Sequence, residues 1–452
     1  MNKKILLGTL FASLVTTSVA SAAGEAKNVI FFLGDGLGPT VVTAARIYKY
    51  GEAGKLTLES FDRTARIKTF SNDAQTTDSA PSMSAYMTGV KMNNEVLSMT
   101  SSTLADKTKC VFDGSNGSKV KTLLELAKAK GLGVGAVTTT ELTHATPAAT
   151  YAHICHRDLA YDIAAQAVPG GAGFNADLLD GVDVLFGGGR NHWTPLDTTT
   201  NPKGRADGRN LVQELIAKGW SYAADKAAFT ALSADSTRVV GLFSATSHLS
   251  YELDRDSTQQ PSLSEMTGKA IATLQNVSKK SGKGYFLMVE GGRIDHALHS
   301  TNAKRALEDA IAFDNAVKEA LSRVDLKDTL IVVTADHDHT MVINGYPKRG
   351  NAILDVVKGL DGNPMKDGEG FTYPTLAFGN GESRPDTRAD VASADALAND
   401  YHQIAAFKKP AGSETHGGGD VMLMATGAGS TKFKGTLDNT KVFGLVKEAF
   451  GL

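Results

Sequence analysis

Tyr285-Phe-Leu-Met-Val-Glu-Gly-Gly-Arg-Ile-Asp-His-Ala-Leu-His299 is the segment that decides the fold. Residues 285–289 form a continuous apolar run, which is typical of a short strand buried on both faces of a sheet. The run ends at Glu290, and beyond two glycines Asp295 and His299 stand four residues apart. That spacing places both side chains on one face of a helix. A buried strand that passes directly into a helix predicts an α/β protein.

The same alternation extends along the chain. Helical patterns such as residues 120–128 and 303–324 lie between further short apolar runs. The other predicted strands are residues 29–33, 134–138, 182–186, 239–243, 330–334 and 421–425. This pattern predicts a three-layer α/β/α sandwich with a central, mostly parallel sheet. Between about residues 345 and 411 the pattern is broken by Gly, Pro, Asn and Asp, which predicts an irregular insertion that serves as a lid or an interface.

Composition describes an ordinary soluble globular protein. The chain has 452 residues, of which 42% are hydrophobic and 21% charged, with a formal net charge of -2. A nucleic-acid partner is not expected, because binding to a phosphate backbone needs a concentrated basic face. We therefore expect a small-molecule substrate.

The first 22 residues are predicted to be a signal peptide. Lys3 and Lys4 precede an apolar run over residues 5–20, and Ala20-Ser-Ala22 offers a cleavage site of small residues. The run is short for a membrane span, so we expect no membrane anchor and a periplasmic or secreted protein with one domain over residues 23–452. In an oxidising compartment Cys110 and Cys155 can form one disulfide, although two buried thiols are an equal alternative.

Chemically active residues follow the ends of several predicted strands. In a parallel sheet ligands bind at the carboxyl ends of the strands, so these residues should share one rim. They are Asp35 after the first strand, Thr146 in the loop beyond Thr140, Glu290, and the pair Asp336 and His337. Carboxylate and imidazole are the ligands that Zn²⁺ takes when cysteine is absent. The sequence therefore predicts a hydrolase site with two metal ions.

Two further residues suit a phosphate group. In Thr77-Asp-Ser-Ala-Pro81, Asp78 or Ser79 can cap a helix, and a serine there lies at the positive end of the helix dipole. Alone, this motif is usually no more than a helix cap. Arg157 is predicted about three turns along a helix that begins near Pro147, from where its planar fork could reach phosphate oxygens.

Taken together, these motifs resemble the alkaline phosphatase family over nearly the whole mature chain. The matching motifs are Gly34-Asp-Gly36, Thr77-Asp-Ser-Ala80, His144-Ala-Thr-Pro147 with Arg157, Glu290-Gly with Asp295 and His299, Asp336-His337, and Glu414-Thr-His-Gly-Gly418. The resemblance implies hydrolysis of phosphate monoesters, a homodimer, and a crown-type character for the irregular insertion.

The resemblance also implies a role for each matching residue. One zinc would be held by Asp295, His299 and His416, and a second by Asp35, Asp336, His337 and the Ser79 oxygen. One magnesium would be held by Asp35, Thr146 and Glu290. Ser79 is similar to the nucleophile that becomes phosphoserine, and Arg157 to the residue that clamps the substrate phosphate.

Two positions depart from the best-known bacterial pattern. His144 replaces an Asp near the magnesium, and His296 replaces a Lys after the zinc-binding Asp, although animal members commonly carry His at both. We expect both beside the metal ligands rather than among them, with His296 near the substrate. The other six histidines are expected to be structural or superficial, and His339 is the closest of them to the ligand set. They are His153, His156, His192, His248, His339 and His402.

The glycine clusters have an interpretation of their own. Gly34 to Gly38 imitates a dinucleotide-binding loop, but Pro39 stands at the third glycine position and Asp35 would repel a pyrophosphate, so no such cofactor is expected. Gly187-Gly-Gly-Arg190 and residues 417–419 are predicted to serve tight turns and close packing near the rim.

Two alternatives remain open at this stage. A phosphodiesterase of the same superfamily would keep the two-metal cradle, whereas a sulfatase lacks support because its modified Cys/Ser motif is absent around Ser79. A non-catalytic exported protein that binds phosphate or metal would share the ligands without the reaction.

Overall fold

The structure is a computed structural model that describes residues 26–452, so the predicted signal peptide at residues 1–22 lies outside the described part. The strands are β1 (Asn28–Gly34), β2 (Arg63–Lys68), β3 (Gly133–Glu141), β4 (Val184–Gly188), β5 (Ser221–Ala223), β6 (Val239–Leu242), β7 (Tyr285–Gly291), β8 (Thr329–Ala335), β9 (Asp338–His339), β10 (Met341–Ile343), β11 (Leu376–Gly381), β12 (Ala405–Lys408), β13 (His416–Gly417), β14 (Val421–Gly427) and β15 (Gly435–Asp438). The α-helices are α1 (Pro39–Tyr50), α2 (Ser79–Thr88), α3 (Leu123–Ala129), α4 (Ala145–Tyr151), α5 (Ala160–Gln166), α6 (Leu211–Ala217), α7 (Lys226–Ala231), α8 (Leu263–Ser281), α9 (Arg293–His299), α10 (Ala303–Arg323), α11 (Ser393–Ala396) and α12 (Asn439–Ala449).

One large sheet organises the chain. Its ten strands lie in the order β15-β2-β14-β8-β1-β7-β3-β4-β6-β5. Strand β14 is antiparallel to both of its neighbours, and every other adjacent pair is parallel. Every residue of β1, β7 and β8 is buried, which explains why these strands are continuous apolar runs. The predicted α/β sandwich with a mostly parallel sheet is confirmed.

All seven predicted apolar runs overlap strands of this sheet. The sequence pattern missed β2, in which buried and exposed residues alternate, and it missed the short edge strands β5 and β15. It also gave no sign that β14 runs opposite to the rest, because a buried apolar run does not reveal strand direction. None of these strands contains a predicted site residue, although β14 pairs directly with β8.

Irregular structure fills much of the region between β10 and β13. It contains the small sheet β10-β11-β12, with β10 antiparallel and β12 parallel to β11. A separate pairing of β9 with β13 sets His416 opposite His339. Outside this region, Cys110 and Cys155 form a disulfide. Within residues 26–452, no helix combines the length and the apolar character that crossing a membrane would require.

Candidate active site

The sheet register brings the predicted rim residues together. In the central strands, β1 pairs Leu33 with Glu290 of β7 and Gly34 with Ala335 of β8. Strand β3 continues the same level on the other side, where Thr138 pairs with Glu290. Asp35 and Asp336 are the next residues after β1 and β8, so three carboxylates meet at the carboxyl end of the sheet. Their common level follows from the parallel pairing.

A first cluster is built on α9. Its Asp295 and His299 share a face, with His299 Nε2 3.2 Å from Asp295 Oδ1, as their spacing predicted. His416 approaches from β13, and its Nε2 lies 3.5 Å from the same oxygen and 3.2 Å from His299 Nε2. Burial lowers the pKa of His299, but the charge of Asp295 outweighs that effect and raises it. These three residues could hold one ion.

Hydrogen bonds on the far side of each ring fix the tautomers in this cluster. His299 Nδ1 bonds the Glu414 carbonyl, and His416 Nδ1 lies 2.8 Å from the Thr77 carbonyl. A carbonyl only accepts, so both protons sit on Nδ1 in the neutral rings and both Nε2 atoms expose a lone pair. In the neutral form of both rings, two lone pairs and a carboxylate oxygen therefore face one another. This donor set and its outer partners fit Zn²⁺.

A second cluster repeats this arrangement around His337. Its Nδ1 donates to the Asp338 carbonyl at 3.2 Å, which leaves the Nε2 lone pair facing Asp35 Oδ1 at 3.2 Å and Asp336 Oδ2 at 3.4 Å. Asp336 Oδ2 is buried and has no hydrogen-bond partner. Burial raises the pKa of both Asp35 and Asp336, and it lowers the pKa of His337. A divalent cation would compensate both carboxylates.

A third cluster surrounds Glu290. Thr138 and Thr140 donate to its Oε2, the latter at 3.1 Å. Its Oε1 and the hydroxyl of Thr146 are both buried without a hydrogen bond of normal geometry. Burial raises the pKa of Glu290 to about 8. Oxygen donors without partners, close to Asp35, are what a hard ion such as Mg²⁺ requires. The neighbouring His144 also offers a ring nitrogen within range of Asp35 and Glu290.

Ser79 lies beside the second cluster, next to Asp35 and His337. It is the first residue of α2, and Asp78 caps that helix by accepting from the Ala80 N–H at 2.7 Å, as the sequence predicted. The Ser79 Oγ is 3.4 Å from each oxygen of Asp35 and 3.2 Å from His337 Nε2. The serine hydroxyl is therefore surrounded by a carboxylate and an imidazole nitrogen that bears a lone pair.

Arg157 reaches the site by a different route from the predicted one. It does not lie on a helix, because α4 ends at Tyr151 and the chain then becomes extended. In the following stretch Ile154 exchanges two backbone hydrogen bonds with Leu97, and these partners replace a further turn of helix. The loop before Arg157 is thus held by the loop that follows α2.

The guanidinium of Arg157 is oriented by two partners. Nη1 donates to Asp78 Oδ1 at 3.1 Å, and Nη2 donates to His144 Nε2 at 3.0 Å. Because Asp78 directly precedes Ser79, the same carboxylate caps the helix of the serine and anchors the arginine. The two residues predicted to act on the phosphate, Ser79 and Arg157, are therefore linked through Asp78.

His339 lies deeper in the first cluster than the sequence indicated. It is buried, its Nε2 is 2.8 Å from Asp295 Oδ1, and its Nδ1 is 2.6 Å from Glu414 Oε2. Burial lowers the pKa of His339, but the charge of Glu414 and the bond to Asp295 raise it to about 10. With both nitrogens bonded to carboxylates, the ring has no lone pair for a metal. In this hydrogen-bonded arrangement it supports Asp295, and one of its nitrogens also lies within ligand range of Asp295, His299 and His416.

His248 was also placed outside the site by its sequence context, yet it lies beside it. The rings of His144, His248 and His296 contact one another, with centroid distances of 5.4, 5.3 and 4.3 Å. The one signal in the sequence was its loop, which follows the carboxyl end of the predicted strand 239–243 and so belongs to the same rim. Burial lowers the pKa of His296 to about 3 and that of His248 to about 2.

Comparison with known proteins identifies the family. A family model described as alkaline phosphatase matches residues 26–452. The chain is 37% identical over 432 residues to the tissue-nonspecific alkaline phosphatase of Gallus gallus, which covers 89% of this chain and 80% of that protein. It is 37% identical over 433 residues to the alkaline phosphatase of Gadus morhua, covering 89% and 87%.

A solved structure agrees in fold. The alkaline phosphatase of Thermus thermophilus superposes with a TM-score of 0.69 at 24% identity, covering 98% of this chain and 96% of that one. Because the family match spans all the residues that form the sheet and its rim, this chain belongs to the alkaline phosphatase family.

Proposed function

We propose that this chain, as a phosphate monoester hydrolase of the alkaline phosphatase family, acts through a covalent phosphoserine at Ser79 with two zinc ions and one magnesium ion. The observation that carries the proposal is the set of imidazole lone pairs in the first and second clusters, one of which, on His337 Nε2, lies 3.2 Å from Ser79 Oγ. The Nε2 atoms of His299, His337 and His416 all face carboxylate oxygens, and each is fixed by a bond from its Nδ1 to a backbone carbonyl.

The ion assignments follow the three clusters. Asp295, His299 and His416 would hold one zinc, and Asp35, Asp336, His337 and Ser79 Oγ the other. Asp35, Thr146 and Glu290 would hold the magnesium. When bound, these ions would supply Lewis-acid stabilisation of charge on the attacking and leaving oxygens and favour the ionised serine. Beyond this, the chain positions the serine and the phosphate.

Asp35 and His337 orient the nucleophile. Both lie within hydrogen-bonding distance of Ser79 Oγ, and neither has a proton to donate to it while Asp35 is ionised and His337 keeps its proton on Nδ1. The single hydroxyl proton can point to only one of these acceptors at a time, which leaves an oxygen lone pair free for the substrate. With zinc bound, the lone pairs of Asp35 and His337 would be taken up by the ion, and the two side chains would hold the ionised Ser79 oxygen in place.

The Ser79 proton is lost to solvent, the Oγ–P bond forms as the bond from phosphorus to the leaving oxygen breaks, and that oxygen takes up a proton from water. A second water then adds its oxygen to phosphorus as the Oγ–P bond breaks, which releases inorganic phosphate and returns a proton to Ser79.

Arg157 holds the phosphoryl group. Its guanidinium is kept next to Ser79 by Asp78 and His144, so its remaining N–H donors can bind two phosphate oxygens. Phosphoryl transfer needs mostly positioning and charge stabilisation, which this arrangement supplies without contacts to the leaving group. We therefore propose broad activity on phosphate monoesters.

Comparison of two substrates tests this reaction class. We expect kcat/KM for p-nitrophenyl phosphate to be at least about a hundredfold higher than for bis-p-nitrophenyl phosphate. A second ester group removes one negative charge from the phosphate and leaves one oxygen fewer for the Arg157 guanidinium to bind. Release of p-nitrophenol measures both rates on the same metal-loaded sample. A preference for the diester would instead identify a phosphodiesterase of the same superfamily.

The resemblance to the family also implies a homodimer, and we propose one that involves the irregular region. Leu360 and Tyr346 are 92% and 87% exposed, and their segments lie side by side because the Lys348 N–H donates to the Lys358 carbonyl at 2.8 Å. Large apolar side chains left in solvent mark association surfaces. We expect a dimer by size-exclusion chromatography with light scattering, and mostly monomer for Tyr346→Lys with Leu360→Lys. A monomeric wild type would contradict the proposal.

We further propose export to the periplasm or the medium. The Cys110–Cys155 disulfide agrees with an oxidising compartment, and the sequence of residues 1–22 supports a cleaved leader. Amino-terminal sequencing of protein recovered outside the cytoplasm should begin near Ala23, and retention of Met1 would count against export.

A further inference from the structure

The glycine cluster at residues 187–190 packs a distant loop against the rim. A Cβ on Gly188 would lie 2.4 Å from the Ser247 carbonyl oxygen, so any side chain there would force the backbone at Ser247 to move. Gly189 has φ +74° and a Cβ there would lie 2.8 Å from the Cβ of Glu141. The glycines of this predicted turn therefore allow the backbone near residue 247 to approach residues 188 and 189 closely.

Backbone hydrogen bonds hold that loop in place. The N–H groups of Gly189, Arg190 and Asn191 donate to the carbonyls of residues 247, 244 and 245 at 2.8, 3.0 and 2.9 Å. On the other side, the Leu249 N–H donates to the Thr139 carbonyl at 2.9 Å. The loop over residues 244–249 is thus fixed between the ends of β3 and β4, although residues 245–247 are exposed.

The loop over residues 244–249 places the side chain of His248 beside the site. Its Nδ1 accepts from the Glu141 N–H at 3.1 Å, so the ring proton sits on Nε2. Its ring lies 4.3 Å from the ring of His296, centroid to centroid, at an angle of 44°. His248 therefore has one edge bonded to the backbone and one face against His296.

His296 is fixed from two directions. Arg293 Nη1 bonds its Nδ1 at 2.8 Å, and because guanidinium only donates, the His296 proton also sits on Nε2. Arg293 is itself held over the ring of Tyr251 at 3.7 Å. The arginine sets which nitrogen of His296 carries the proton, and the ring of His248 limits how His296 can rotate.

We propose that His248 is a positioning residue for phosphate binding, which keeps the Nε2–H of His296 directed at the substrate phosphate. This rests on the proposed function, together with the expectation from the family resemblance that His296 lies near the substrate. Neither His248 nor the glycine turn touches the phosphate in this scheme; the turn at residues 187–190 positions the loop, the loop positions His248, and His248 positions His296.

Two substitutions separate the features of His248. His248→Phe keeps a flat ring against His296 but loses the acceptor for the Glu141 N–H, whereas His248→Asn keeps an acceptor and loses the ring. If the ring contact is what matters, we expect His248→Asn to raise KM for p-nitrophenyl phosphate and the Kd of inorganic phosphate by about 3- to 10-fold. kcat should change by less than about twofold, and His248→Phe should lie nearer the wild type.

A double-mutant cycle with His296→Ala provides the decisive comparison. Without His296 there is nothing left to position, so His248→Asn should then leave the phosphate Kd unchanged within error. Isothermal titration calorimetry with inorganic phosphate measures this independently of turnover, and metal analysis verifies that all variants carry the same ions. Equal effects of His248→Asn in both backgrounds, or no effect on phosphate affinity in the wild-type background, would overturn the proposal.

A remote substitution tests the route through the glycine turn. Gly188→Ala must push back the Ser247 carbonyl, so it should reproduce part of the rise in phosphate Kd, and this effect should also vanish in the His296→Ala background. Gly444→Ala is the matched control, because a Cβ at Gly444 meets nothing within 4 Å. If the wild type binds phosphate but does not hydrolyse monoesters, the proposed function fails while this inference is still measurable by calorimetry.

Discussion

Replacing Ser79 by alanine is expected to lower kcat/KM for p-nitrophenyl phosphate by at least about a thousandfold, or about 4 kcal/mol in transition-state stabilisation. The substitution removes the atom that forms the bond to phosphorus, while Arg157 and the other proposed ligands of the second zinc, Asp35, Asp336 and His337, remain. Since the side chain of Ser79 is buried and alanine fits its space, we expect the fold and the content of zinc and magnesium to stay close to the wild type.

A second serine on the same helix is the control. Ser84 is buried on α2, but its hydroxyl accepts from the Ser98 N–H at 2.9 Å and takes no part in the clusters. Ser84→Ala should lower the free energy of unfolding by about 1–3 kcal/mol, because that buried N–H loses its partner, and should keep turnover. For both variants, activity is measured on phosphate-free protein, metal analysis gives the ion content, and urea unfolding gives the free energy of unfolding.

The outcome also separates catalysis from mere binding. A phosphate-binding protein without a reaction would show no turnover to lose, and Ser79→Ala would alter phosphate affinity at most. In contrast, the catalytic proposal requires that wild-type protein, quenched in acid during turnover of labelled substrate, carries label on Ser79. Full activity in Ser79→Ala would refute the assignment of the nucleophile.

The strands that carry the site could be predicted from the sequence because they are buried on both faces of the sheet. Strands β1, β7 and β8 are buried on both faces, so they are apolar over most of their length, and an acidic residue follows each apolar run within two positions. The pair Asp295 and His299 was equally readable, since a helix of fixed period sets their proximity. Such local rules needed no knowledge of the rest of the chain.

The path of the chain to Arg157 could not be predicted from the local sequence pattern. Its arrival beside Ser79 was expected from the family resemblance, but its route was predicted as helix because Pro147 starts one. The extended path from residue 152 onward depends on Leu97, more than fifty positions earlier, which supplies backbone partners. No periodicity in the segment itself records that pairing.

His339 and His248 were missed for a related reason. His339 has its role through Glu414 and Asp295, which lie far from it in sequence, and its own neighbours give only a short strand. His248 depends on a close approach that two glycines at residues 188 and 189 permit. In both cases the function of the residue lies in contacts between segments, whereas the sequence pattern reports mainly what each segment does alone.

Removal of metal ions is expected to abolish more than about 99% of turnover and to destabilise the folded chain, consistent with ions that carry most of the charge stabilisation. Without cations, the buried carboxylates of Asp35, Asp336 and Glu290 must take up protons or remain charged in a dry site, and burial raises the pKa of all three. By linkage, ions at a thousand times their Kd stabilise the fold by about 4 kcal/mol per site. Calorimetry before and after dialysis against a chelator measures this as a lower midpoint of unfolding.

Readdition separates the roles of the ions. Zn²⁺ alone should restore most of the midpoint, because two of the three clusters present imidazole and carboxylate, and Mg²⁺ should then complete the recovery of turnover. Thr146→Val removes one oxygen donor from the third cluster while keeping the shape of the side chain. We expect it to retain two zinc ions, to lose magnesium at concentrations that saturate the wild type, and to turn over about 10- to 100-fold more slowly. Equal loss of zinc and magnesium in this variant would show that the three clusters do not bind separate ions, and the assignment of Thr146 and Glu290 to a distinct site would be wrong.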